Sequence, residues 1–269
     1  MKLSIITPTK NSEKYILETL QSIHGQRYPD LEHIIVDGCS TDNTVPVIRK
    51  FTEDNKSDNV RLVVKEDRNM YEAINRGLSG ISGDIYAYLN SDDCYYDGAF
   101  KVVSNYFEKY QDVDMLYGNC EYVDENGSTL FWSNNPAFNF NRLVRVKTSF
   151  IQQPATFFRR RVLEKIGDFD TSYNLASDYE YLLRAGRVCR VMRVREVLVR
   201  FRIHSSSLTV SHADRIREEA EMISRRYASS APSFIVRLQK MIDYVYIYSL
   251  LLRPKNREYM ARKIISFLK

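Results

Sequence analysis

Two adjacent carboxylates, Asp92 and Asp93, close the stretch Tyr88-Leu89-Asn90-Ser91-Asp92-Asp93, where an apolar run beginning at Ile85 stops abruptly. Neighbouring carboxylates repel, so both stay ionised only when a cation or several hydrogen-bond donors lie beside them. A hard divalent ion bound to a phosphate meets that need. The competing reading is a solvated turn, because Asn, Ser and Asp are common turn residues. Other polar residues follow apolar runs in the same way: Thr7, Asp37 and Glu66-Asp67-Arg68. Arg68 is a planar, permanently charged donor fork suited to a nucleotide or its phosphate. Its plainer reading is a surface cation.

The elements that must position these residues alternate. Leu3 to Thr7 reads as a buried strand ended by Pro8, and a polar loop then opens a helix carrying Ile16, Leu20 and Ile23 at helical spacing, with Ser12 as its N-cap. Three further units repeat the pattern: strand Glu32 to Asp37 with helix Thr44 to Thr52, strand Val60 to Lys65 with helix Met70 to Leu78, and strand Ile85 to Leu89 with helix Gly98 to Tyr110. Alternation with short loops predicts a parallel sheet covered by helices on both faces. Ligands of such sheets bind at the carboxyl ends of the strands. Thr7, Asp37, Arg68 and the two aspartates all fall on that rim, which favours a ligand site over a set of solvated turns.

After Asp112 the pattern becomes mixed. Strand-like runs at Val113 to Gly118, Glu121 to Val123 and Thr129 to Trp132 flank Asn126-Gly127, a strong hairpin signal. Pro136 to Gln153 shows no clear period and is expected as a loop over the rim. Beyond it come strand Gln153 to Phe158, a short helix Arg161 to Ile166 closed by Gly167, a helix Ala176 to Ala185 ended by Gly186, and a strand-like Val188 to Ile203. Helices over Ser211 to Ala228, Pro232 to Leu252 and Asn256 to Leu268 form a tail.

The 269 residues carry a net charge of +5, and the excess is concentrated. From His212 onward twelve Lys and Arg stand against six Asp and Glu, so the tail is basic and the remainder nearly neutral. The tail segment 232–269 includes an apolar, Tyr-rich run from Met241 to Leu252 between basic residues. It falls short of the ~18 apolar residues a spanning helix needs. It suits an interfacial helix on an anionic membrane, with packing on the catalytic domain or in a homodimer as the alternative. No nucleic-acid motif accompanies the charge. Cys39, Cys94, Cys120 and Cys189 are far apart, which argues against a disulfide framework and a zinc site. Lys2 to Ile6 runs straight into a strand without a signal-peptide core. A cytoplasmic protein, associated in part with the inner face of the cell membrane, is expected.

Absent motifs narrow the chemistry. There is no G-x-x-x-x-G-K-[ST] phosphate loop, no G-x-G-x-x-G after a strand and no G-x-S-x-G elbow. A nucleotide-type topology without a glycine cradle must neutralise phosphate otherwise, and a metal at Asp92 and Asp93 would do so.

Five segments, taken in order, resemble the family 2 glycosyltransferases, inverting enzymes of the GT-A fold. They are Ser4 to Asn11, Ile34 to Thr44, Asp67 to Gly77, Gly83-Asp84 through Asp93, and Ala176-Ser177-Asp178-Tyr179-Glu180, within residues 1 to 205. The resemblance implies a Rossmann-like, mostly parallel sheet becoming mixed, with a nucleotide-sugar-binding half (1–110) and an acceptor-binding half (111–210), followed by the helical tail (211–269). It implies that Thr7, Pro8 and Asp37 hold base and ribose of a nucleotide-sugar, in which Asp37 acts as an acceptor; the plain alternative for Asp37 is a turn acid. The family's D-x-D region falls on Asn90-Ser91-Asp92, so its usual first acid is missing, and either Asp92 or Asp93 binds metal while the other meets ribose. Asp178 matches the general-base position, and its alternative is a helix N-terminal acid stabilised by the dipole. His204 matches a further metal ligand, which would favour Mn²⁺ over Mg²⁺; a lone capped or surface histidine is the alternative. The function implied is metal-dependent transfer of a sugar, from a UDP-linked donor, to a hydroxyl of a glycan or lipid-linked acceptor in cell-surface polysaccharide synthesis. A non-catalytic glycan- or membrane-binding module on the same scaffold is the rival. A sugar nucleotidyltransferase would need a glycine-rich loop that Pro8 to Ser12 does not provide.

Overall fold

The computed structural model describes residues 1–147, 150–228, 233–251 and 256. The first part of the chain contains strands β1 (Leu3–Thr9), β2 (Leu31–Asp37), β3 (Val60–Val64), β4 (Ile85–Tyr88) and β5 (Cys94–Tyr95). Its helices are α1 (Ile16–His24), α2 (Thr44–Asp54), α3 (Met70–Leu78) and α4 (Ala99–Lys109). Then follow β6 (Met115–Val123), β7 (Thr129–Trp132), α5 (Phe140–Val146), β8 (Thr156–Arg159), α6 (Arg160–Ile166), α7 (Ser177–Val188) and β9 (Val191–Arg202). The chain continues through α8 (Leu208–Ser211), α9 (Ala213–Tyr227) and α10 (Ser233–Leu251).

The strands form one sheet in the order β3-β2-β1-β4-β8-β6-β9-β5, with β7 paired to β6. The first four members are parallel, β8 is antiparallel to β4 and to β6, and β9 runs parallel to β6. Alternating side chains explain why helices cover both faces. Ile34 and Val36 of β2 join Ile6 and the α3 residues Tyr71 and Ile74 in one core. Ile35, between them, turns to Ile16, Leu20, Ile48 and Phe51 of α1 and α2. On the α4 side Leu3, Ile5 and Ile85 pack with Phe100, Val103 and Phe107.

Several elements differ from expectation. Pro8 does not end the first strand. Ile6 accepts from Leu89 N–H on the β4 side and Thr9 accepts from Gly38 N–H on the β2 side, so Pro8, of the same parity as Ile6, faces β4. Pairing to β4 has already stopped at Ile6–Tyr88, and the missing N–H costs no ladder bond. Ser12 is not the N-cap of α1: the cap position is Tyr15, without a side-chain bond, and the Ser12 hydroxyl meets the Ser91 hydroxyl at 2.7 Å. Segment 136–153 is not a plain loop but contains α5, with Leu143, Val144 and Val146 buried. Gly186 lies inside α7 rather than at its end; its lack of a side chain makes room for Phe138, whose Cζ would lie 2.7 Å from a Cβ there. The expected strand start Gln153 to Ala155 is a turn of 3₁₀ helix. The predicted helix over Asn256 to Leu268 lies outside the described residues, Asn256 excepted.

Candidate functional site

The carboxyl ends of β1, β2 and β4 meet on one rim, laced by short hydrogen bonds. Asn11 N–H donates to Ser40 Oγ and Thr41 N–H to Asn11 Oδ1, both at 2.8 Å. Asn11 and Cys39 hold φ of 50° and 59°, a left-handed backbone that non-glycine residues adopt at a cost and that clusters at functional loops. Asp37 is fully buried at the end of β2, where Oδ1 accepts from Ser40 N–H and Oδ2 from the Ser40 hydroxyl. The Thr7 hydroxyl pairs with His33 Nε2 at 2.9 Å. Pro8, beside it, is buried as well.

Arg68 extends outward with 79% of its side chain exposed, and its guanidinium rests against Glu72. Its neighbour Asp67, 4% exposed, accepts from Arg76 through Oδ1, while Oδ2 is buried without a partner. Buried unpaired acceptors are costly and are concentrated where ligands complete them. Asn90 Oδ1 and Thr9 Oγ1 are two more on the same rim. Asn69 caps α3 by accepting from Glu72 N–H, so the helix start that carries Arg68 and Asp67 is fixed.

The two aspartates have different surroundings. Asp92 retains 25% side-chain exposure, and its Oδ2 lies 3.0 Å from His204 Nε2. Asp93 is 2% exposed, and its Oδ1 accepts from Arg202 N–H at 2.9 Å. Burial, then the charge of Asp92, pushes the Asp93 carboxyl well above the usual range, against the Arg202 N–H and guanidinium. Pairing of β5 with β9, Cys94 opposite Arg200, turns Asp93 inward and brings His204 over Asp92. Arg202 is the residue that sequence reasoning passed over. Its side chain is 5% exposed, donates to Asp92 O and to Glu18, and lies over the Tyr15 ring. In sequence it is one of four arginines of β9, with Arg193, Arg195 and Arg200, and nothing local marks it as the buried one.

Asp178 occupies the second position of α7. Its Oδ1 accepts from Tyr179 N–H at 2.8 Å and from the Tyr71 hydroxyl at 3.2 Å. Burial raises its pKa; those two donors oppose the shift, and Glu219 adds to it. The buried Tyr88, at the end of β4, has its own pKa raised by burial and then by the charges of Asp178, Tyr71 and Asp93. The Asp178 end of α7 and the aspartate corner thus border the same tyrosine, and Gln153 Nε2 donates to Tyr88 O at 2.7 Å.

The donor set suits a shared cation. Among the described residues no group of three or more His, Cys, Asp and Glu side chains could close around an ion. Asp92 and His204 supply one oxygen and one nitrogen, and Asn90 Oδ1, two residues before Asp92, is unpartnered. A divalent ion held there would need its further ligands from a bound molecule.

A model of glycosyl transferase family 2 matches residues 4–167. The chain belongs to this family. It is a glycosyltransferase with a GT-A fold. An uncharacterised glycosyltransferase of Rickettsia typhi is 26% identical over 223 residues, 80% of this chain and 68% of that protein. A PGL/p-HBAD biosynthesis glycosyltransferase of Mycobacterium tuberculosis is 29% identical over 182 residues, 67% of this chain and 68% of its own. Among solved structures, S. aureus TarS 1-349 in complex with UDP-GlcNAc superposes with a TM-score of 0.64 at 20% identity, covering 96% of this chain and 78% of that one. The mannosyltransferase PcManGT of Pyrobaculum calidifontis, in complex with GDP-Man and Mn²⁺, gives 0.63 at 20% identity, covering 98% and 75%.

Proposed function

We propose that this glycosyltransferase is inverting and metal-dependent. It moves a sugar from a UDP-linked donor to a hydroxyl of a glycan or lipid-linked acceptor, in cell-surface polysaccharide synthesis. The observation that carries the reading is Asp178: a carboxylate with a raised pKa, held in one orientation by Tyr71 and Tyr179 N–H, and bordering Tyr88 together with the Asp93 corner. Asp178 takes the proton of the acceptor hydroxyl as its oxygen bonds to the anomeric carbon and the bond to the nucleotide diphosphate breaks on the opposite face. A raised pKa brings a carboxylate closer to working pH, where general bases are most effective.

Thr7, Pro8, Asp37 and Arg68 are assigned to the nucleotide. Asp92 and His204 would hold a Mn²⁺ or Mg²⁺ ion, which when bound neutralises charge on the leaving diphosphate; Asp93 fixes the corner through Arg202. The bound ligands of TarS and PcManGT support nucleotide-sugar and metal use. The test is transfer from a panel of nucleotide-sugars with and without Mn²⁺, in wild type and Asp178→Asn. Full transfer by the variant would remove Asp178 as base.

A membrane role for α10 has its own observation. Leu238, Met241, Ile242 and Val245 recur at helical spacing, each more than half exposed. Arg237 and Lys240 neighbour that stripe, and we place α10 on an anionic lipid surface, with a second copy of the chain as the competing occupant.

A further inference from the structure

Helix α9 lies past the family match and past the five resembling segments, yet one of its side chains holds the backbone that leads into Asp178. Glu219 accepts three consecutive backbone N–H groups: Asn174 at 3.2 Å through Oε1, and Leu175 at 2.8 Å and Ala176 at 3.0 Å through Oε2. Those residues are the last of the loop between α6 and α7, and Asp178 follows two positions later. A loop this short has no ladder of its own, and a carboxylate accepting several N–H groups forms charge-assisted bonds stronger than neutral ones.

The loop is gripped from the other side by α3. Asn69 Nδ2 donates to Thr171 O at 3.1 Å and to Asn174 Oδ1 at 3.0 Å. The Tyr71 hydroxyl donates to Leu175 O at 3.1 Å and shares Asp178 Oδ1 at 3.2 Å. Asn75 exchanges two bonds with the backbone of Phe169. These α3 contacts hold the loop from one side; on the other, Glu219 couples it to α9 together with Arg226, whose guanidinium lies over the Tyr173 ring. Ala220 and Ile223, on the same helix, are buried in the core that includes Tyr179 and Leu182 of α7, so the helix is seated independently of Glu219.

We infer that Glu219 is a positioning residue for Asp178, gripping the Asn174–Ala176 backbone so that α7 presents its carboxylate to the acceptor hydroxyl. The inference rests on the reading of Asp178 as base. The helical tail is then part of the catalytic apparatus and not an appendage to it. Glu219 also acts through its charge: it opposes ionisation of Asp178 and so raises that group's pKa. Among the described residues, Tyr71 from α3 and Tyr88 from β4 also face Asp178, both neutral phenols at working pH.

The test uses the full chain with UDP-sugar donor, in Glu219→Ala and Glu219→Gln. A base displaced by about 1 Å costs on the order of 10²-fold in rate. Expected for Glu219→Ala are a kcat lower by about that factor, unchanged donor KM, and faster hydrogen exchange at the Leu175 and Ala176 amides with α7 protection from Leu182 onward intact. Glu219→Gln, which keeps one acceptor oxygen, loses less rate, and its acid limb of kcat moves to lower pH; a purely structural prop would lower the plateau and leave the limb in place. Unchanged amide exchange, or unchanged kcat with the amides freed, overturns the inference. Full transfer by Asp178→Asn sinks the base assignment instead, and leaves the exchange result to be judged separately.

Discussion

Asp92 and His204, 112 residues apart in the chain, meet at 3.0 Å on the rim of the sheet. Neither element alone makes that contact. Asp92 follows β4, His204 follows β9, and the two-residue β5 bridges them by pairing with Val199 and Arg200. One carboxylate and one imidazole form an incomplete coordination set, so free protein should bind Mn²⁺ weakly and the UDP-bound protein tightly. Titration calorimetry with and without UDP checks this, and equal affinities would count against a shared site. His204→Ala should lower Mn²⁺ affinity in the UDP complex by at least the ~10-fold that losing even an outer-shell partner costs.

Asp178→Asn separates catalysis from stability. Asparagine keeps an acceptor oxygen for Tyr71 and Tyr179 N–H, so the fold survives, while kcat should fall by about 10²–10⁴-fold at unchanged donor KM. Burial raises the folded-state pKa of Asp178 above its unfolded value, so the native state holds the proton more tightly. The associated stability is fully present below the unfolded value of about 3.9 and is lost as pH rises through the folded one. At neutral pH the buried charge therefore weakens the fold, and Asp178→Asn should raise the thermal midpoint there. Near pH 3 the advantage should vanish, which thermal scans at both pH values would reveal.

The first four strand–helix units are legible because each obeys a local rule: an apolar run, a polar turn, then apolar spacing of three and four. Helix α3 spans Met70–Leu78, the range expected for it, and the Asn69 cap that fixes its start is a local feature of the chain. The distinction between Asp92 and Asp93 is not legible, because it depends on β5 pairing with a strand more than a hundred residues away. Helix α5 escapes for another reason: Phe140, Leu143 and Val144 have helical spacing, but seven residues are too few to display a period. Glu219 leaves no signature at all, as its partners are backbone amides that every sequence possesses.

Gly77 supports the rim from beneath. It lies on α3, and a Cβ added there would approach Ile6 Cγ2 to 2.5 Å. Ile6 is fully buried on a central strand paired to β2 and β4, one residue before Thr7, so it has no room to yield. Alanine gains ~1 kcal/mol of helix propensity over glycine, whereas overpacking a dense core costs ~1–3 kcal/mol. The packing loss wins, and Gly77→Ala should destabilise by about 1 kcal/mol, a fall of roughly 2–4 °C in thermal midpoint for a chain of this size. A midpoint equal to wild type or above it would mean that Ile6 repacks freely.

Helix α10 is pinned by one face and open on the other. Asp243, 4% exposed, sits between Arg142 at 2.9 Å and Arg145 at 2.7 Å, and Tyr244 donates to Val146 O at 3.2 Å. Those contacts leave Leu238, Met241, Ile242 and Val245 facing outward, and among the described residues no helix is long and apolar enough to cross a membrane. If the stripe rests on lipid, each neighbouring cation contributes ~1 kcal/mol at an anionic surface. Arg237→Gln with Lys240→Gln should then weaken sedimentation with phosphatidylglycerol vesicles by about 30-fold, and 0.5 M salt should do likewise to wild type. Met241→Asp should abolish binding without altering transfer to a water-soluble acceptor, because the stripe faces away from α5 and the core. Absence of vesicle binding together with a concentration-dependent dimer that Met241→Asp disrupts would assign the stripe to a second copy of the chain.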